Sequence, residues 1–192
     1  MIRNIAIGVL LVAGIMLFGN GAWIQAKAVV AQGLLQMAWS TTQETGEQVK
    51  PWPWSDHWPV AELVFNGQND ERFIVLHGDS GAALAFAPGW DALSDRLGSD
   101  GTAVISAHRD THFRILKDSV VGDQITVIGA GNKDHQYEIT SIEIVDSSQS
   151  KIEKRAGGYL VLITCYPFNA ISPGGVMWYV VTAEYSSNSV VM

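Results

Sequence analysis

The chain of 192 residues carries 12 Lys and Arg against 19 Asp and Glu, a formal net charge of -7, and 47% of it is hydrophobic. That length and apolar content allow one domain with a proper core plus an N-terminal extension. The acidic balance, with no basic cluster or RNA-binding signature, excludes nucleic acid as a partner, and a single cysteine excludes an internal disulfide.

From Ile5 to Trp23 there is no charged residue. As a helix this stretch is roughly 28 Å long, close to the hydrocarbon thickness of a bilayer, and it is expected to span a membrane. A cleaved signal peptide is the competing reading, with Arg3 as a minimal basic region and Ala26-Lys27-Ala28 as a small-x-small site. Length favours the anchor. Arg3 then lies on the cytoplasmic side and the rest of the chain on the far side. Residues 25–39 continue as a second helical stretch in the interface, so 1–39 is expected to form the membrane anchor and following helix. Composition turns polar at Ser40, and 40–50 is expected to be a linker ahead of a domain spanning 51–192.

The domain opens on Pro51-Trp52-Pro53-Trp54-Ser55-Asp56-His57-Trp58-Pro59. This run is too rich in proline for a helix or a central strand and reads as an arm packed on the domain, or as an aromatic platform for a ligand. Short apolar strands follow at 60–65, 72–76, 102–107, 124–129, 135–145, 159–164 and 176–185. Gly78-Asp79-Ser80-Gly81 is a turn by composition, and short helices are expected at 90–97 and 113–117. The fold class is therefore mainly all-β, with closure into a barrel removing exposed strand edges.

Two of these strands end in reactive groups. Tyr159–Thr164, preceded by Gly157-Gly158, delivers Cys165 just before Pro167, and Thr102–Ala107 delivers His108. A thiol with an ordinary pKa near 8.5 is only a few per cent ionised at neutral pH, and a neighbouring imidazolium is the usual means of making it reactive. A lone cysteine is more often a small buried hydrophobe, so the argument rests on the pair.

Ser106-Ala107-His108-Arg109-Asp110-Thr111-His112-Phe113, with Leu162-Ile163-Thr164-Cys165-Tyr166-Pro167-Phe168 behind an N-terminal membrane helix, resembles the sortases, most nearly their Gram-negative proteobacterial class, class GN. The likeness covers residues 48 to 185. It implies an eight-stranded closed β-barrel with one or two short helices, and a cysteine transpeptidase anchored in the inner membrane with its catalytic domain in the periplasm. It also implies protein substrates carrying an LPxTG-type C-terminal sorting signal and an amine acceptor. With no HExxH motif and no cysteine cluster, no cofactor or metal is expected. Cys165 would be the nucleophile and His108 the general acid and then base. The signal's leucine calls for an apolar groove near Ile171 or Tyr179.

The likeness breaks at one position. Where the family carries an arginine on the strand after the cysteine, this chain has Trp178, and an indole offers one neutral donor in place of a charged fork. That departure motivates an alternative, a catalytically weak member that binds sorting signals or partner proteins. A peptidoglycan transpeptidase of the L,D type is disfavoured, since no Ser-x-Gly-Cys precedes Cys165. His112, four residues after His108, reads as a structural hydrogen-bonding residue or cleft wall in preference to a metal ligand. Asp110 either orients His108 or caps the following turn, and Thr164 shapes the site or simply favours the strand.

Overall fold

The computed structural model describes residues 2–67, 70–170, 172 and 174–186. One helix, α1 (Ile2–Thr45), runs 44 residues without a break, about 66 Å at the helical rise. Residues 7–30 are exposed throughout. This helix is long and apolar enough to cross a membrane. Its last turns lie on the domain, where Ala31, Leu35, Ala38, Trp39 and Thr42 are buried at helical spacing. Leu35 packs with Leu76, Ala83 and Ala87, and Gln32 Nε2 donates to the Phe86 carbonyl at 2.7 Å.

The stretch expected as a polar linker is thus helical as far as Thr45. The hydroxyls of Ser40 and Thr41 both donate to the Met37 carbonyl, and that of Thr45 to the Thr41 carbonyl, so these three hydroxyls are satisfied along the helix itself. Gly46 ends it with a φ of 74° and an N–H bonded to the Thr42 carbonyl at 2.9 Å. Burial of Trp39 and Thr42 against the domain overrides local composition.

Eight strands follow: β1 (Pro59–Phe65), β2 (Glu71–His77), β3 (Gly89–Trp90), β4 (Thr102–Ser106), β5 (Gln124–Gly129), β6 (Lys133–Asp146), β7 (Tyr159–Tyr166) and β8 (Met177–Tyr185). They close into a barrel in the order β1-β2-β3-β4-β7-β8-β6-β5, with the two-residue β3 bridging the ends of β2 and β4. A short helix, α2 (Gly81–Leu84), capped by the Ser80 hydroxyl, lies between β2 and β3, and a 3-10 helix (His112–Asp118) follows β4. Ala61, Leu63, Val75, Ile105, Ile125, Val127, Leu160, Leu162 and Val181 fill the interior, with Phe113 and Leu116 of the 3-10 helix packed into it.

Residues 90–97, expected as a helix, instead contain the end of β3 and a series of turns. Asp91 starts them by accepting from Leu93 N and Ser94 Oγ, while the Asp95 side chain accepts from Thr102 N at 2.9 Å. Such side-chain bonds offer the backbone an alternative to helix. Gly89 pairs with Leu76 and Ser106 in β3, and the position takes a glycine because a Cβ there would collide with the Gly78 carbonyl.

The Pro-Trp arm packs mainly as a cover. Trp52 meets Phe86 edge-on at 5.1 Å, Trp58 stacks on His77 at 4.2 Å, and the Ser55 hydroxyl donates to the His57 carbonyl at 2.7 Å. Trp54 alone among its tryptophans stays mostly in solvent, 81% exposed.

Candidate active site

Strands β4 and β7 run parallel and in register, from Thr102 opposite Tyr159 to Ser106 opposite Ile163. Continuing that register by two residues brings His108 beside Cys165, and two bonds hold the continuation. Ala107 N donates to the Ile163 carbonyl at 3.2 Å, and the Thr164 hydroxyl donates to the Ala107 carbonyl at 2.7 Å. Thr164 is buried, so that bond is made out of water and ties the end of the cysteine strand to the end of the histidine strand.

On the other side, β7 and β8 are antiparallel, and Cys165 stands directly opposite Trp178. Side chains alternate across a sheet. Leu160, Leu162 and Thr164 therefore face inward, whereas Val161, Ile163 and Cys165 face outward beside Val104, Val180 and Trp178. This explains why β7 is apolar at almost every position: one face fills the barrel and the other builds a groove.

Cys165, His108 and Trp178 line one cavity of about 470 Å³ on that outer face. Its walls are Val104, Ile163, Ile152 and Leu93, with Asp79, Asp91 and Ser94 on the polar side. Cys165 is a free, half-buried thiol, and His108 is exposed. An apolar groove ending at a thiol and an imidazole suits an extended peptide whose side chains are partly aliphatic. Tyr179, expected beside this groove, faces the barrel interior instead, because it is one residue out of phase with Trp178. Ile171 lies outside the described residues.

Among the basic residues near the site, Arg109 turns away from the groove. It is 6% exposed, and its guanidinium donates to the carbonyls of Ala170, Ser172 and Gly174. It thereby staples the loop that carries the chain from Cys165 to Trp178. Lys154 does line the Cys165 cavity, with its ammonium donating to the Leu93 carbonyl at 2.8 Å. Nothing in its sequence surroundings singled it out, since the loop before β7 reads only as polar.

His112 sits beside His108. Its ring meets Phe73 edge-on at 5.8 Å, and its Nδ1 lies 3.3 Å from the Thr111 hydroxyl. Burial first, and then the proximity of His108, push its pKa below the ordinary value. It does not line the Cys165 cavity, so of the two roles expected of it the cleft wall is not the one it fills. Among the described residues no group of three or more His, Cys, Asp or Glu is gathered to hold a metal ion. Asp110 is exposed and makes neither bond expected of it. Thr111 occupies the cap position, without a side-chain bond to the helix backbone, and the Phe113 N–H is taken by the His108 carbonyl at 3.0 Å.

A family model for the sortase domain matches residues 68–186. Over 77 residues the chain is 36% identical to sortase D of Bacillus subtilis (strain 168), a match covering 38% of this chain and 37% of that relative's length. The structure resembles the catalytic domain of B. anthracis SrtD, with a TM-score of 0.56 at 28% identity over 67% of this chain and 87% of that one. It also resembles a Clostridium perfringens sortase D5 transpeptidase, with a TM-score of 0.64 at 18% identity, covering 82% of this chain and 99% of the other.

Proposed function

The chain belongs to the sortase family of cysteine transpeptidases, and on that premise we propose that it joins a protein bearing an LPxTG-type sorting signal to an amine through a thioester on Cys165. We place it in the Gram-negative proteobacterial class, anchored in the inner membrane by the apolar part of α1, with the barrel on the periplasmic face. The observation that carries this reading is the in-register pairing of β4 with β7, which delivers His108 and Cys165 into one cavity.

In this reading the Cys165 thiolate attacks the Thr-Gly carbonyl of the signal, and the carbonyl oxygen becomes an oxyanion. When the intermediate collapses, the C–N bond breaks and His108 donates a proton to the departing amine. The acyl group is left as a thioester. An incoming amine then attacks it, the C–S bond breaks, and the amine's proton returns through His108 to the resting pair. The walls Val104, Ile163 and Ile152 hold the aliphatic part of the signal and limit water.

The full chain in detergent, incubated with an LPxTG-type peptide and followed by intact mass, tests the proposal. The expected result is an adduct of the truncated peptide on the wild type, discharged by hydroxylamine as a hydroxamate and absent from Cys165→Ala. A folded protein that binds the peptide yet never gains mass would overturn it.

A second reading rests on Trp178 opposite Cys165, the place where the family's arginine would supply charged donors to the oxyanion. It makes the chain a binder of sorting signals with little turnover. Recovery of the adduct only in Trp178→Arg would favour that reading.

A further inference from the structure

The Pro-Trp arm does more than cover the barrel, since it closes a small cavity of about 130 Å³ whose walls include Trp52, Trp54, Phe86 and Asp56. The arm is held firmly. Ser55 N donates to the Trp52 carbonyl at 3.0 Å, which puts Pro53 and Trp54 at the corner of a turn. The His57 ring is committed to the domain, with Nδ1 3.0 Å from the His77 carbonyl and Nε2 3.2 Å from the Ser80 hydroxyl. Trp54 and Asp56 are therefore exposed side chains on a backbone that is already ordered. Three aromatic rings and one carboxylate, with no Lys or Arg among the described residues of the lining, make a cavity that favours a cation.

This cavity lies at the end of the barrel from which α1 departs towards its apolar part. Along the helix, Gln32 bonds the Phe86 carbonyl, Leu35 packs with Ala83 and Ala87, and Gln43 Nε2 donates to Asn132 Oδ1 at 3.0 Å. Phe86 is thus met first. Lys27, whose ammonium lies 5.0 Å from the Trp23 ring, is the first charged residue after the apolar stretch, and Gln32 follows it by five residues. Those residues span about 7.5 Å of helix, about the depth of the polar head-group layer on one side of a bilayer.

We propose that this cavity binds the ammonium of an ethanolamine-type lipid head group, so that the arm as well as α1 attaches the barrel to the bilayer. The proposal rests on the reading of α1 as a membrane anchor. Size favours ethanolamine. The cavity has room for about four waters, and an ammonium joined to an oxygen by an ethylene link is about that large, whereas choline adds methyl groups. Charge favours it too: Asp56 attracts the ammonium, and in a chain of net charge -7 no Lys or Arg of the lining recruits an anionic head group. The rings attract the cation through their π faces, and the carboxylate accepts from its N–H groups. A single helix leaves the molecule free to tilt in the bilayer. A second attachment at the arm removes that freedom and sets the height of the catalytic groove, because α2 joins the two regions: Ala83 packs with Leu35 of α1, and Leu84 lines the Cys165 cavity.

Glycerophosphoethanolamine and glycerophosphoglycerol are soluble head groups that share the phosphate and differ in the ammonium. Titrated calorimetrically into the full chain in maltoside detergent, the first is expected to bind about tenfold more tightly than the second. Trp54→Ala and Asp56→Asn should each abolish that preference while keeping the wild-type denaturation midpoint, since both side chains are exposed. Equal binding of the two probes, binding of neither, or a preference that survives both substitutions would overturn the proposal. Native mass spectrometry of the full chain released from bilayer nanodiscs, made of equal parts phosphatidylethanolamine and phosphatidylglycerol, tests the lipid as the source. The ethanolamine lipid is expected to be retained on the wild type and lost from Trp54→Ala, with retention of the glycerol lipid unchanged. Retention that the substitution does not alter would remove the lipid as the ligand. A chain that fails to enter the bilayer overturns the anchor reading and the lipid assignment with it, and the head-group titration then decides the ammonium site by itself.

Discussion

The two faces of the β7–β8 ladder are built from alternate residues of the same two strands, yet they do different work. The outer face runs Val161, Ile163, Cys165 against Val180 and Trp178, an apolar groove that ends in a thiol. The inner face runs Leu160, Leu162, Thr164, Tyr166 against Val181 and Tyr179, a barrel core that ends in an aromatic wall with a charged rim. The difference teaches that a shift of one residue along a strand exchanges chemistry for scaffold. It also shows why the thiol is held well: the residue before it, Thr164, is locked into the core side by its bond to Ala107.

The comparison breaks most completely at the thiol. Cys165→Ala is expected to lose all acyl adduct in intact mass spectrometry while keeping its denaturation midpoint, because only an outer-face sulfur is removed. Trp178→Arg sharpens the same face: a guanidinium opposite Cys165 is expected to raise the acylation rate about a hundredfold, the usual scale for an oxyanion donor. An unchanged single-turnover rate would show that Trp178 is no deficit.

Substitutions that act through the inner side and its loop should appear first as stability. Arg109→Met removes a buried donor from three loop carbonyls and is expected to cost about 2–3 kcal/mol in chemical denaturation. Thr164→Val preserves shape but leaves the Ala107 carbonyl without its donor, at about 1 kcal/mol. Acylation should slow in that variant with the nucleophile and histidine both present; a rate equal to wild type would show that this bond does not position the site.

The smallest effect is expected at His112. Its folded pKa lies below the ordinary 6.5, so between 6.5 and that lower value the unfolded chain holds a proton that the folded chain does not. The stability it contributes is complete above 6.5 and is lost as pH falls through the window. His112→Gln should flatten the change in denaturation midpoint between pH 7.5 and pH 5, and an equally steep profile in the variant would assign the pH dependence to other groups.

The long β strands were legible as apolar, β-branched runs bounded by turn residues. Tyr159–Thr164 is the clearest, because both faces of β7 are covered and nearly every residue must be apolar. The two-residue β3 was not legible, since it carries no periodicity and needs Gly89, whose missing Cβ leaves room for the Gly78 carbonyl. Residues 90–97 looked helical by composition, but the side chains of Asp91 and Asp95 bond the backbone into turns. The helical course of α1 through Ser40–Thr45 was hidden for the opposite reason, as polar residues were held in helix by packing of Trp39 and Thr42.

By itself, the sequence determined the seven longer strands, that one would end in Cys165 and another in His108, and that the N-terminal stretch is apolar enough to span a bilayer. These follow from local pattern, which needs no knowledge of neighbours. Only the tertiary structure decided that the two strand ends are adjacent, that Cys165 faces outward into an apolar groove, and that Arg109 serves the loop while Arg114 and Lys117 rim a second cavity. Those facts depend on strand register and on which face each residue meets, and register is set by contacts between segments some fifty residues apart.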